Sequence, residues 1–136
     1  MARILVIDDE PVLRITFRHI LEEEGYEVFD AEDGAEGVEV CRESHPDLVI
    51  TDMMMPKQEG SETVAILRQE FPAMPVIAMS GAEVRLPREW QANGNPVRCV
   101  QKPVDRPALL GLVKDVLFGR QYKPAHKGGP SQAITL

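Results

Sequence analysis

The chain reads as an α/β domain built on a doubly wound, five-stranded parallel sheet in the order 2-1-3-4-5, with five helices. Three observations lead there. Short apolar runs alternate with amphipathic segments along the 136 residues, the arrangement that parallel pairing through right-handed crossovers requires. Most of the runs are apolar nearly throughout, as strands covered on both faces are. Four of them also stop at residues able to serve phosphate or metal chemistry, and sheets of this kind bind ligands at the carboxyl ends of their strands.

Residues Arg3 to Ile7 (RILVI) form the first strand, which stops at Asp8-Asp9-Glu10. Pro11 then suits a first helical turn, where its missing N–H is no loss. Leu13, Phe17, Ile20, Leu21 and Glu24 recur at helical spacing on one face, and Gly25 marks the stop. Tyr26 to Ala31 is the second strand. Gly34 to Ser44 is a modest helix with Ala35, Val38 and Cys41 on its inner side. The third strand, ending at Asp52, is centred on β-branched Val49 and Ile50, and Pro56 and Gly60 mark the loop after it.

Ser61 is placed to cap the next helix, which runs to Phe71 with Val64, Leu67 and Phe71 as its buried stripe. Pro75 to Ser80 is the fourth strand. Residues 82 to 93 should be helical by position, yet Pro87 interrupts them and Gly94-Asn95-Pro96 ends them, so that helix is short, bent or late in starting. Val97 to Gln101 is the fifth strand and leads to Lys102-Pro103. Asp105 caps a last helix carrying Leu109, Leu112, Val113, Val116 and Leu117 at helical spacing. One domain, residues 1 to 118, is thus followed by a flexible tail, residues 119 to 136, rich in Gly, Pro and polar residues.

Composition narrows the function. A net charge of −7 disfavours binding to nucleic acid phosphates. All the acids precede Gly119 while Arg120, Lys123 and Lys127 follow it, so the body is more acidic than the whole. Cys41 and Cys99 have no zinc or redox spacing and read as reduced, semi-buried thiols. A strand begins within a few residues of Met1 with no basic-then-apolar leader, and no apolar run has membrane-spanning length, so the expected location is cytoplasmic.

In the order 2-1-3-4-5, the reversal point lies between the first and third strands, whose ends carry Asp8, Asp9 and Asp52. Three converging carboxylates repel one another unless a cation joins them or one stays protonated. Mg²⁺, which prefers oxygen ligands, is the natural occupant. Zinc would want histidine or thiolate, which these loops lack; His19, His45 and His126 read as solvated or helix-face residues. Given a metal, Asp52 can act as a nucleophile toward phosphorus, with the Lys102 ammonium and the Ser80 hydroxyl stabilising phosphoryl oxygens. Each residue has a plainer reading by itself. Lys102 could be a snorkelling surface lysine, Ser80 a turn residue, and the acidic run a favourable first helical turn. Taken jointly, four strands ending this way favour a site.

The blocks ILVIDDEP (4 to 11), DLVITDMMMP (47 to 56), VIAMSGA (76 to 82) and CVQKPVD (99 to 105) resemble, in order and spacing, the signature blocks of the receiver domain of two-component response regulators. The resemblance covers residues 2 to 118 and implies the flavodoxin-like receiver fold. It implies that Asp52 is the phosphoacceptor, supplied by the phosphohistidine of a sensor histidine kinase or a histidine phosphotransfer protein. It further implies that Asp9 binds Mg²⁺ directly and Asp8 through water, that the Met54 carbonyl completes the metal ligands, that Lys102 pairs with the phosphate and Ser80 moves to bind it, and that the Lys102–Pro103 bond is cis. The protein would then be a stand-alone phosphoacceptor regulator rather than an enzyme, signalling to a downstream protein by contact or phosphorelay, with no direct nucleic acid contact and no membrane insertion.

Two departures from the family pattern stand out. Cys99 occupies the position, three before the lysine, where an aromatic ring is usual, and a thiol cannot sweep the same volume. Pro87 breaks the fourth helix on a face often used for output, so output through a different face or a reordered helix is expected; Trp90 there reads as a helix anchor or partner contact. Competing readings are a phosphate-independent pseudo-receiver adaptor and an Asp-nucleophile phosphohydrolase of the haloacid dehalogenase-like type. The latter wants a second Asp two residues after the nucleophile, where this chain has Met54.

Overall fold

The computed structural model describes residues 1–53, 60–81 and 97–119. In order these form β1 (Arg3–Ile7), α1 (Pro11–Glu23), β2 (Glu27–Ala31), α2 (Gly34–Ser44), β3 (Leu48–Asp52), α3 (Gly60–Glu70), β4 (Val76–Ser80), β5 (Arg98–Gln101) and α4 (Arg106–Phe118). All strand pairs are parallel, in the order β2-β1-β3-β4-β5. The helix expected over 82 to 93, with Pro87 and Trp90, and the tail from Arg120 onward lie outside the described residues.

The sheet is buried from both sides because its strands alternate between two apolar layers. Leu5 and Ile7 point with Val49 toward Val38 and Cys41 of α2 and Val64 and Leu67 of α3. Ile4 and Val6 point with Ile50 toward Phe17, Ile20 and Leu21 of α1 and Leu109 and Val113 of α4. A period of two with both phases apolar is what a doubly covered strand needs.

Helix ends follow local chemistry. Pro11 opens α1, and Gly25 closes it at φ 92, a conformation glycine adopts without penalty. The Gly25 N–H donates to the Glu22 carbonyl and the Tyr26 N–H to that of Leu21, the paired bonds of a Schellman stop. Asp33 caps α2 by accepting from the Glu36 N–H, and Asp105 caps α4 by accepting from the Ala108 N–H.

Several expectations need correction. Ala35 is exposed; the inner face of α2 is Gly34, Gly37, Val38 and Cys41. Glycine there permits contact that a side chain would block, since a Cβ on Gly37 would meet Ile7 Cδ1 and lie 2.8 Å from Ile7 Cγ1. Helix α3 begins at Gly60, so Ser61 lies inside its first turn rather than ahead of it. Glu24 is exposed and ends α1 instead of extending its buried face. The two thiols are not alike: Cys41 is fully buried and Cys99 exposed. No described helix is long and apolar enough to cross a membrane.

Candidate functional site

Parallel register brings the acid-bearing strand ends side by side. Ile7 pairs with Thr51, so Asp8 and Asp52 leave adjacent strands at the same height. The Asp8 N–H donates to the Ala31 carbonyl (3.1 Å), which carries the pairing with β2 one residue past β1. Asp8 and Asp52 are buried, at 0% and 4% exposure, and Asp9 is half-buried. Carboxylate oxygens of the three lie within 4.8 Å of one another.

The counter-charge arrives from the other end of the sheet. The Lys102 N–H donates to the Ser80 carbonyl (2.7 Å), continuing the β4–β5 ladder past its last pair. From there Lys102 Nζ reaches Asp52 Oδ2 at 3.2 Å and Asp8 Oδ2 at 3.7 Å. Ser80 is buried at the end of β4, one residue beyond Met79, the register partner of Asp52. The Lys102–Pro103 peptide that follows is cis.

Asp8 carries the clearest electrostatic imprint. Its Oδ1 accepts from the Glu10 N–H (2.9 Å), whereas Oδ2 is buried with no hydrogen-bond partner among the described residues; Lys102 is too far away to form one. Burial raises the Asp8 carboxyl above the ordinary range; the Glu10 N–H and Lys102 oppose the shift, and repulsion from Asp52 and Asp9 adds to it. A buried carboxylate oxygen left unsatisfied beside two other acids is what a divalent cation would relieve. Among the described residues the donors are all carboxylate oxygens, a set that suits Mg²⁺ better than zinc, which favours imidazole and thiolate.

The structure thus brings together Asp8, Asp9, Asp52 and Lys102 and sets Ser80 at the same sheet edge. Met54 lies outside the described residues. A second acid group, Glu32, Asp33 and Glu36, is already employed at the start of α2, where Asp33 and Glu36 accept backbone N–H groups. His19 lies on the exposed face of α1 beside Glu23, and His45 ends α2 in the left-handed region. Reasoning from sequence overlooked Arg14, whose Nη1 donates to the Asp8 carbonyl at 2.8 Å. Its one signal was a position one helical turn after Glu10, on the strand-end side of α1.

The chain matches the family model for the response regulator receiver domain over residues 4–114. It is 34% identical over 121 residues to the protein PilH of Pseudomonas aeruginosa, covering 88% of this chain and 100% of that one. To the chemotaxis protein CheY of Halobacterium salinarum it is 35% identical, covering 85% and 96%. Against longer relatives it spans only part, 59% of the transcription regulator BvgA of Bordetella pertussis at 32% identity. Among solved structures, chemotaxis protein CheY4 of Vibrio cholerae superposes with a TM-score of 0.75 at 30% identity, covering 86% of this chain and 99% of that one. The receiver domain of the hybrid histidine kinase CckA does so at 0.71 and 32%, covering 85% and 98%. With this sheet order and acid-bearing edge, the chain belongs to the response regulator receiver domain family of two-component signalling.

Proposed function

We propose that the protein is a phosphorylation-dependent switch. Asp52 accepts a phosphoryl group from the phosphohistidine of a sensor histidine kinase or histidine phosphotransfer protein in the cytoplasm, and the signal passes on by protein contact or phosphorelay. The observation that carries this reading is the bridging ammonium: Lys102 lies 3.2 Å from Asp52 Oδ2 and 3.7 Å from Asp8 Oδ2, so one cation faces two buried carboxylates from adjacent strands.

An Asp52 oxygen attacks phosphorus; the P–O bond forms as the P–N bond to the donor imidazole breaks, and the imidazole takes its proton from solvent. Lys102 withdraws charge from the transferring group, and Ser80 offers a hydroxyl to one of its oxygens. Asp8 and Asp9, with Asp52, would hold Mg²⁺. When bound, Mg²⁺ supplies the positive charge that lets an anionic donor approach three carboxylates. Asp8, fixed through Glu10 and Ala31, gives the pocket a rigid wall.

Incubation with acetyl phosphate and Mg²⁺, followed by intact mass, tests the reading. One labile phosphoryl adduct is expected on the wild type and none on Asp52→Asn. No adduct on the wild type would favour a phosphate-independent adaptor, and turnover of a small phosphomonoester would favour a phosphohydrolase.

A further inference from the structure

Arg14 is a residue that the phosphotransfer chemistry leaves without a task. It sits in α1, and its Nη1 donates to the Asp8 carbonyl oxygen at 2.8 Å. That oxygen belongs to the peptide unit joining Asp8 to Asp9. Because a peptide unit is planar, holding its oxygen also fixes the direction in which the chain enters Asp9. The other polar groups of Asp8 are held from elsewhere: its N–H by Ala31 of β2 and its Oδ1 by the Glu10 N–H. Among the described residues Oδ2 accepts no hydrogen bond and faces the Lys102 ammonium at 3.7 Å, so it is the Asp8 atom open to a ligand.

We propose that Arg14 is a positioning residue for the acid pair: by clamping the Asp8–Asp9 peptide from α1, it sets the affinity of the Asp8, Asp9 and Asp52 group for a divalent cation. The inference rests on that group being the cation site. Two roles for a guanidinium here have opposite signs. As a bare positive charge near three carboxylates, Arg14 would compete with the ion, and removing it would tighten binding. As a clamp, it resembles the outer-shell partners of metal ligands, whose loss typically weakens affinity by about 10-fold to 100-fold.

The test is calorimetric titration of the full chain with Mg²⁺. Arg14→Met and Arg14→Gln both remove the charge and the reach, while Arg14→Lys keeps the charge and one donor. The clamp predicts that the first two weaken Mg²⁺ binding by about tenfold or more and that Arg14→Lys recovers part of the loss. Affinity unchanged or tighter, in whichever of Arg14→Met and Arg14→Gln folds, overturns the proposal and leaves the cation site standing. A role confined to stability would produce that same unchanged affinity, with only the melting point in EDTA lowered. Failure of the wild type to bind Mg²⁺, or undiminished binding by Asp9→Asn, would instead remove the cation site and this proposal with it.

Discussion

Strands β3 and β5 both deliver a charged group of the site, yet they are built by opposite rules. β3 pairs on both sides, with β1 and β4, and all five of its residues are buried, Asp52 included. β5 lies at the end of the strand order, and its residues alternate between half-buried and exposed. The anionic part of the pocket is therefore anchored in the core. The cationic part hangs from an edge, with 20% of the Lys102 side chain exposed against 5% of Asp52. The carboxylate is placed where packing is densest and the lysine where it is lighter, at a position freer to move.

The largest effect that can break this contrast is thiol reactivity. Cys41 packs among the core residues behind β1, and burial pushes its thiol up to about 12, whereas Cys99 is exposed on β5, where partial burial also raises the thiol but leaves it reachable by reagent. The thiolate is the reacting form, so alkylation of native protein should mark Cys99 at least about a hundredfold faster than Cys41. Peptide mapping after a timed pulse reads this out, and comparable rates would mean that the core side opens as readily as the edge.

Next comes truncation of one side chain in each strand. Ile50→Ala empties a fully buried position and should cost about 2–5 kcal/mol in urea unfolding; Val100→Ala, at a half-buried position, should cost less than half as much. Equal losses would erase the distinction between centre and edge.

Charge edits in the pocket are smaller and have opposite signs. Lys102→Met leaves Asp8 and Asp52 without their shared ammonium. In EDTA it should lower stability by about 2 kcal/mol, discounted from the cost of breaking a fully buried pair because Lys102 keeps some contact with water. Excess Mg²⁺ should restore much of that loss. Asp8→Asn should do the reverse. The folded state raises the Asp8 carboxyl, so the group costs nothing below the ordinary carboxylate range, where it is protonated in both states, and opposes folding increasingly as pH rises through the raised value. Removing that charge should raise the metal-free melting temperature at neutral pH by on the order of a few degrees and largely abolish the further rise on adding Mg²⁺. A drop in the metal-free melting point would show that Lys102 outweighs burial at this site.

The parts of this fold that were legible from sequence share one cause: their signals are local. The runs around Ile4 to Ile7 and Val49 to Ile50 state their own burial, and Pro11, Gly25 and Asp105 are the residue types that helix ends require. The acid cluster could be anticipated because alternation implies a doubly wound sheet, and in the order 2-1-3-4-5 the ends of the first and third strands are neighbours. What was misread depended on contacts between distant segments. Gly37 faces inward because Ile7 fills the space that a side chain would need. Cys41 and Cys99 differ in burial because one helix faces the core and one strand closes the sheet. Arg14 was invisible because its partner is a backbone oxygen, which leaves no residue type to match.

β1 lies inside the sheet although it precedes the sheet's other four strands in sequence. Its pairing with β2 can form early, but its second neighbour is β3, and the Arg3 N–H is held by Asp47, 44 residues further along. Until that stretch emerges, a nascent chain carries one open apolar strand edge that other chains could occupy. A stall after β1 and β2 have emerged but before β3 has would leave that edge exposed, and chaperone capture should matter there.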